Sequence, residues 1–300
     1  MAIGKPPSLV LATFYPPGSE EAKRKPLGLE IKLGLPIGQL FNEPTAELRK
    51  LVQLGEVLEI KAFPEPSWLP LDKPRVFHWG YGLVEAEFKK LLPALETDLK
   101  NCQMFSCDLG PAARYRQGIL PTSKILSEKE LETAMGSSLD LVRKIYSGPI
   151  GVENYNYYPT RLYERICEPY YLSRLLNKFD LSLVLDLAHA QVSAHNLQGS
   201  LKEYLRQLPI ERVKEIHLSR PYVPEVMKNL AVDTHDPPAI DEFLLLESLL
   251  KAIPQNKPLV VIECYKSPQT LLTAYEDLIE RMTAWGFSVP LANPKASSES

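Results

Sequence analysis

The sequence predicts a single α/β domain folded as a (β/α)8 barrel, on three observations. Eight short apolar runs of strand type recur along the 300 residues, and amphipathic segments of helix type separate most of them. Strands that alternate with helices pair in parallel and are joined by right-handed crossovers. Histidines and carboxylates stand at or just beyond the ends of these runs, where such a barrel collects its functional groups.

The strand-type runs are rich in Val, Ile, Leu and Phe, which suit a pleated, buried backbone. They cover residues 29–35, 56–61, 75–79, 103–108, 149–154, 182–187, 213–218 and 258–263. The helix-type segments have apolar residues at helical spacing. They cover residues 45–54, 85–100, 127–146, 169–179, 201–208, 239–253 and 267–285. The proline-rich stretch 63–74 cannot hold a long helix. The longest loops are predicted at 109–126 and 219–238.

One domain accounts for the whole chain. We expect the barrel over residues 1–290, with about 25 irregular residues at its start, and a disordered tail over residues 291–300. The net charge of −3 offers no global field to recruit nucleic acid, so a nucleic-acid partner is not expected. No apolar run approaches the ~18 residues of a membrane span, so no membrane association is expected.

The four cysteines predict a reduced, cytoplasmic protein. They form no CxxC pair and lack the density of a disulfide scaffold. Cys107 and Cys264 adjoin candidate functional residues. The alternation of a strand turns their side chains away from the barrel axis, so both are expected to be packing residues.

Histidines and carboxylates at the strand ends form the candidate functional site. In a barrel the strand ends converge on one axis, so several carboxylates there would repel one another unless cations neutralise them. Imidazole together with carboxylate suits zinc, iron or manganese, whereas calcium prefers oxygen ligands alone. The candidate metal ligands are His78, Asp108, Glu153, Asp186, His189, His217, Asp233, His235 and Glu263.

Spacing and context refine this set. Asp108 and Asp186 could instead cap the helix that follows a strand. Asp186 and His189 form a DxxH pair across a strand exit, and Asp233 and His235 form a DxH pair in a loop. Both spacings let two side chains reach one small volume. Further candidates, for contact with substrate or with the ligands, are Asn154 and, further along the predicted loop, His195 and Asn196.

Other catalytic motifs are missing from the sequence. It has no GxSxG nucleophile elbow, no GxxxxGK[ST] phosphate loop and no GxGxxG turn. Hydrolase-triad, nucleotide and dinucleotide chemistry therefore has no support in the sequence.

The segments that carry the candidate ligands resemble those of the xylose-isomerase-like TIM barrels. Within that group the resemblance is greatest to the multinuclear non-haem iron-dependent oxidases, the family of the methanobactin-maturing enzyme. LVLDLAHAQVSAHN resembles the family's LLLDxNN strand exit, EIHLSRPY its EIHLAG, VDTHDPP its DTHD and PLVVIECYKSPQTLL its PTLIEWDxxxP. FHWG and GVENYNYY resemble its first histidine segment and its ENxS segment. The resemblance covers most of the chain.

The resemblance implies a centre of two or three metal ions, with iron expected and zinc or manganese as alternatives. Its ligands would be the candidates named above, although Asp108 stands where the family has histidine and Ala188-His189 where it has two asparagines. The family oxidises cysteine in a short ribosomal peptide with O2. This implies a peptide or small-thiol substrate and a separate partner protein that presents the peptide.

Three other functions use the same residues. A sugar isomerase or epimerase would hold one divalent metal with residues such as Glu153, Asp186, His217 and Glu263. An endonuclease-IV-like phosphodiesterase would hold three zinc ions but also needs a basic surface that faces DNA. A barrel that binds a metal or metabolite without turnover is the non-enzymatic alternative.

Overall fold

Eight parallel strands close into a barrel in the computed structural model, which describes residues 29–61, 64–113, 124–227, 229–253 and 255–290. Around the barrel their order is β1-β10-β7-β6-β5-β4-β3-β2. They are β1 (Leu33–Ile37), β2 (Val57–Ile60), β3 (Arg75–Trp79), β4 (Cys102–Asp108), β5 (Ile150–Glu153), β6 (Ser182–Asp186), β7 (Val213–Leu218) and β10 (Leu259–Ile262). The predicted (β/α)8 barrel is confirmed. The irregular start and the tail predicted over residues 291–300 lie outside the described residues.

Helices follow the strands around the outside of the barrel. They are α1 (Ala46–Leu54), α2 (Ala86–Leu91), α3 (Glu96–Leu99), α4 (Glu128–Ile145), α5 (Pro169–Phe179), α6 (Leu187–Asn196), α7 (Leu201–Arg206), α8 (Ile240–Ala252) and α9 (Pro268–Ala284). Short 3-10 turns cover Gln39–Phe41, Leu92–Leu95, Ile210–Arg212 and Glu225–Met227. Among the described residues, no helix combines the length and apolar character needed to cross a membrane.

The helix starts follow from local capping. The Thr45 side chain accepts a hydrogen bond from the Leu48 amide at the start of α1. Ser127 and Glu130 form a reciprocal capping box at the start of α4. These side chains satisfy amide groups that have no partner within the helix, so the helix-type segments begin close to where the sequence predicts.

Three segments differ from the sequence-based prediction. The predicted helix over 85–100 is divided into α2, a 3-10 turn and α3, because Pro93 in the middle lacks an amide hydrogen. The predicted first strand, 29–35, lies instead at Leu33–Ile37 and continues through Pro36. The segment that carries His195 and Asn196 is not a loop but helix α6. Its residues 187–194 are all buried, so it lacks the amphipathic pattern that reveals a helix.

The predicted loop 219–238 contains a small antiparallel sheet rather than only irregular chain. Its two strands are β8 (Arg220–Tyr222) and β9 (Val232–Asp236), and together with the connecting residues they are called the β8–β9 hairpin below. It is inserted between β7 and α8 and stands apart from the closed barrel. The sequence VDTHD lacks the apolar alternation of a buried strand, which explains why β9 escaped prediction.

Strand alternation sorts the barrel residues into two layers. Outward side chains such as Leu183 and Leu185 join the large core between strands and helices. Cys107 and Cys264 are buried in that same core, as expected for packing residues. Inward apolar side chains form a second cluster inside the barrel: Val57, Val76, Met104, Val184, Leu259 and Val261. Nearer the carboxyl ends of the strands, the inward positions are charged or imidazole groups.

Candidate metal centre

Strand register brings the candidate ligands on the barrel strands to the same end of the barrel. Asp108 at the end of β4 pairs with Glu153 at the end of β5, and Asp186 on β6 pairs with His217 on β7. Glu263 follows β10 directly, two residues after Val261, which pairs with His217. Since residues two apart on a strand face the same side, these side chains all point into the barrel.

Two acid–histidine clusters share the Glu153 carboxylate. The first consists of Glu153, Asp186, His217 and Glu263, whose ligand atoms lie within 4.8 Å of one another. The second consists of His78, Asp108 and Glu153, with the same spread. His217 Nδ1 lies 2.8 Å from Glu153 Oε1, and His78 Nε2 lies 3.3 Å from Glu153 Oε2. The two oxygens of Glu153 therefore face different clusters, as in a carboxylate that bridges two ions.

A third group contains His189, Asp233 and His235. His189 Nε2 lies 3.2 Å from Asp233 Oδ2, and His235 Nδ1 lies 3.3 Å from the same oxygen. His235 also reaches the first cluster, with Nε2 3.2 Å from Glu263 Oε2. The structure thus brings all nine predicted ligands into one connected network. Their role as metal ligands stays a prediction.

Two histidine rings are already oriented for metal binding. His189 Nδ1 lies 2.9 Å from the Asn154 carbonyl oxygen, which can only accept, so Nδ1 carries the hydrogen and Nε2, which faces Asp233 Oδ2, would be the metal-binding nitrogen. His78 Nδ1 lies 3.0 Å from Ser106 Oγ, which in turn donates to the Phe77 carbonyl. Metal-bound histidines commonly donate their second N–H to such oxygens.

Asp186 serves as a helix cap and still keeps one oxygen for a ligand role. Its Oδ1 accepts a 2.6 Å hydrogen bond from the His189 amide at the start of α6. Its Oδ2 is buried and has no hydrogen-bond partner among the described residues. A buried carboxylate oxygen without a partner is unfavourable, and a cation in the first cluster would satisfy it. The residues present therefore fit a bound metal ion.

Asn154 holds Asp186 in place. Its side-chain amide donates to the Asp186 carbonyl at 2.9 Å and accepts from the Asp186 amide at 2.8 Å. Asn154 is fully buried, so the structure places it as a positioning residue rather than at the substrate.

His195 and Asn196 lie at the end of α6, away from the ligands. The Asn196 side chain donates to the carbonyls of Tyr157 and Ala231 and accepts from the Ala231 amide, which ties β9 to α6. His195 is partly exposed and does not line the central cavity. Both residues lie outside the network of candidate ligands, and their contact with substrate stays a prediction.

Asp108 is not a helix cap. Residues 109–113 form no helix, and α4 is capped by Ser127. The Asp108 Oδ1 atom lies 3.5 Å from His78 Nε2, on the side of the second cluster. Asp108 therefore lies where it could share an ion with His78 and Glu153.

Replacing Asp108 by histidine should keep or increase iron binding. Imidazole is a softer ligand than carboxylate and suits iron at least as well. Metal content after anaerobic purification, with circular dichroism as a check on folding, tests this. Asp98→His, on the short helix α3, is the matched control for the change of side chain. A folded Asp108→His protein with markedly less iron would show that the carboxylate itself is required.

The charges of the centre are strongly coupled. Burial opposes ionisation of Glu153, yet His78 and His217 hold its pKa well below the usual range. Burial also opposes a charged His78, but Glu153 and Asp108 raise its pKa to about 9. Asp186 is different, because burial outweighs the attraction of His189 and raises its pKa to about 7. A divalent ion would shift this balance toward ionised carboxylates and neutral imidazoles.

The sequence-based prediction missed Glu59, Lys61 and Glu215. Glu59 and Glu215 point into the barrel from β2 and β7 and are fully buried. Glu59, His78 and His217 form a further cluster whose ligand atoms lie within 4.8 Å. Lys61 is paired with the carboxylates of Glu59 and Glu263. The sequence did contain a signal for two of these residues. Glu59 and Glu215 interrupt apolar strands at the alternate positions whose side chains face the barrel axis.

A cavity of about 270 Å³ opens above these clusters. Its wall joins ligand residues to aromatic and polar side chains that the sequence analysis did not single out. The latter are Tyr155, Asn156 and Tyr265. Such a cavity can admit one or two side chains of a larger molecule.

The fold and these clusters define an enzyme-like TIM barrel with a candidate metal centre at the carboxyl ends of its strands. The model of the RiPP precursor modification enzyme family MbnB/TglH/ChrH matches residues 120–276. The chain belongs to this family. The resemblance derived from the sequence motifs is therefore confirmed.

Curated relatives match over shorter stretches. A UPF0276 protein of Caulobacter vibrioides (strain NA1000 / CB15N) is 28% identical over 113 residues, which cover 38% of this chain and 39% of that protein. A UPF0276 protein of Shewanella loihica is 30% identical over 103 residues, which cover 34% and 36%. The chain thus matches about two-fifths of the length of these relatives.

Solved structures with the same fold include sugar epimerases. A D-tagatose 3-epimerase-like protein has a TM-score of 0.57 at 16% identity, covering 85% of this chain and 98% of that one. A xylose isomerase domain containing protein from Salmonella typhimurium LT2 has a TM-score of 0.58 at 14% identity, covering 86% of this chain and 98% of that one. D-psicose 3-epimerase from Clostridium cellulolyticum H10 has a TM-score of 0.54 at 14% identity, covering 86% of this chain and 100% of that one. At such identities the likeness shows a xylose-isomerase-like barrel and no more.

Proposed function

We propose that the protein is a multinuclear iron oxidase that acts on a cysteine of a peptide or on a related small thiol. One observation carries the proposal: two ligand clusters share Glu153, so they can hold two ions side by side below a single cavity. Membership of a peptide-modifying family supports a peptide as the substrate.

The described side chains offer a position for each proposed ion. Glu153, Asp186, His217 and Glu263 would hold one, and His78 and Asp108 would share Glu153 in holding a second. His189, Asp233 and His235 offer ligands for a third. Bound iron would supply the electron transfer that thiol oxidation by O2 requires, and zinc and manganese are the alternative metals.

The chain's own contribution is to orient the reactants. Asn154 and Ser106 fix the directions of His189 and His78, so the coordinating nitrogens do not need to rearrange when an ion binds. His235, with a third of its side chain exposed, and Tyr265 form part of the cavity wall. A thiol that enters the cavity would lie beside Glu153, His235 and Glu263.

The rest of a peptide has to bind outside the cavity. The β8–β9 hairpin carries two of the candidate ligands and also exposes the apolar side chains of Tyr222, Val226 and Met227. Exposed apolar groups of this kind are typical of protein-binding surfaces. They support a partner protein that presents the peptide. The four free cysteines support a reducing, cytoplasmic setting.

Anaerobic purification followed by metal analysis and Mössbauer spectroscopy tests the proposal. We expect two or more iron ions per chain in a spin-coupled centre, and consumption of O2 when a cysteine-containing peptide is added. The matched control peptide carries serine in place of cysteine. A protein that holds zinc alone, or an iron-loaded protein that consumes O2 equally with both peptides, would contradict the proposed function.

A single-metal sugar isomerase or epimerase is the second candidate. The cluster of Glu153, Asp186, His217 and Glu263 is compact enough to hold one divalent ion by itself. The epimerase fold of the similar structures agrees with this function. Isomerisation of a ketose by protein that contains one manganese ion per chain would favour it over the oxidase.

A further inference from the structure

Lys61 occupies a cation position at the edge of the candidate metal centre. It follows β2 directly, two residues after Glu59, so its side chain points to the same side of the strand. Its Nζ contacts the Glu263 carboxylate and lies 3.1 Å from Glu59 Oε1. Only 16% of the Lys61 side chain is exposed, so solvent screens these ion pairs weakly.

The two carboxylate oxygens of Glu263 thereby face two kinds of cationic group, an ammonium and imidazoles. Its Oε1 contacts Lys61 and lies 3.3 Å from His217 Nδ1. Its Oε2 faces His235 Nε2 at 3.2 Å. A metal ion in the Glu153 cluster has to compete with the ammonium for Oε1, while the His235 side remains available.

Glu59 belongs to a further possible metal position, separate from the three described above. The ligand atoms of Glu59, His78 and His217 lie within 4.8 Å of one another, and His217 Nε2 is 3.0 Å from Glu59 Oε1. Among the described residues the Glu59 oxygens have charged neighbours but no hydrogen bond of good geometry, so those neighbouring charges must neutralise this fully buried carboxylate. Among the ion pairs of the described residues, Lys61 is the Lys or Arg that pairs with Glu59 and supplies the neutralising charge.

An ammonium and a divalent ion on the same carboxylate repel each other. In a partly dehydrated site this repulsion is large, because the effective dielectric constant is far below that of water. Lys61 and a metal ion are therefore alternative occupants of the space beside Glu59. Among the described residues there are three compact acid–histidine clusters, and Lys61 already supplies a cation for one of them.

We propose that Lys61 is a built-in cation that closes the position beside Glu59 and His217 Nε2 to metal and so limits how many ions the centre holds. This inference rests on the proposed metal-dependent function. It assigns to Lys61 a role in metal number and selectivity, and none in contact with the reacting atoms.

Metal stoichiometry of a Lys61→Gln variant tests the inference. Each protein is loaded anaerobically with ferrous ion, and in parallel with zinc, then measured by native mass spectrometry and elemental analysis. We expect about one additional ion per chain relative to the unsubstituted protein, since Glu59 would be left as an unpaired buried charge. Lys266→Gln is the matched control, because Lys266 is half-exposed and pairs with Asp236. A folded Lys61→Gln protein with an unchanged or lower metal count would overturn the inference.

A double variant keeps the test decisive if Lys61→Gln does not fold. Glu59→Gln with Lys61→Gln removes both charges and leaves no buried charge unpaired. It should hold as many ions as the unsubstituted protein, but bind the ion at Glu263 at least about tenfold more tightly in competition with a chelator. Unchanged affinity in the double variant would overturn the inference. An unsubstituted protein that takes up no metal would instead contradict the proposed function itself.

Discussion

A Glu153→Gln variant is expected to lose at least one metal ion per chain and to bind the remaining metal more weakly. Glu153 is the shared member of two clusters, with one oxygen towards His217 and the other towards His78. The amide keeps the shape of the side chain but cannot bridge two cations as an anion. Loss of a residue that only supports a metal ligand costs about 10- to 100-fold in metal affinity. Loss of Glu153, a candidate ligand itself, should lower the metal affinity by more than that. Metal analysis and a chelator competition titration measure both effects.

Glu203→Gln is the matched control for this variant. Glu203 is an exposed glutamate on α7, distant from the clusters, so its replacement should leave metal content unchanged. Circular dichroism on the same samples separates loss of metal from loss of fold. Full metal occupancy in a folded Glu153→Gln protein would exclude Glu153 as a ligand and would remove the argument for a multinuclear centre.

Replacing Asp233 and His235 together by alanine is expected to remove at least one ion while the barrel stays folded. Both residues belong to the β8–β9 hairpin, which is not part of the closed sheet. Asp233 Oδ2 lies within hydrogen-bond range of His189 and His235, so its loss leaves His189 without its partner at Nε2. Since these ligands come from an inserted element, their removal should affect metal number more than stability.

Asp236→Ala provides the control in the same strand. Asp236 pairs with Lys266 and accepts from Thr234, so this change perturbs the hairpin without touching a candidate ligand. If the double variant and the Asp236 variant both hold the full metal complement, the hairpin residues are not ligands and the single-metal isomerase becomes the better account. Loss of metal in both variants would point to hairpin folding rather than to coordination.

The barrel could be predicted because strand and helix leave strong periodic signals in this sequence. Eight apolar runs were placed close to the observed strands, and α5 was placed at Pro169–Phe179 as observed. The exceptions have physical causes. Helix α6 is buried on all sides and has no polar face to mark its period. Strand β9, VDTHD, has one apolar residue, Val232, so no apolar alternation marks it.

The candidate site was predictable where a titratable side chain ends a strand and not where it lies inside one. Glu153 and Asp186 end their strands and His78 is the last residue but one of β3, and topology alone brings them together. Glu59 and Lys61 lie within or just after a run that reads as an ordinary strand with exposed charges. Their burial depends on how far the polar interior extends down the barrel, which is a property of the closed sheet and cannot be read from one segment.

The apolar cluster inside the barrel gives the centre a floor. Six side chains, from Val57 to Val261, fill the interior below Glu59 and Glu215, as layered side chains do in barrels of this kind. In the part of the chain that the structure describes, a metal ion or a substrate would therefore have to reach the centre through the opening at the carboxyl ends of the strands. Metal ions, substrate and product would share this one opening, and a bound substrate would block it. Ions should consequently be hardest to extract while the cavity is occupied, so occupancy of the cavity sets the lifetime of the loaded centre.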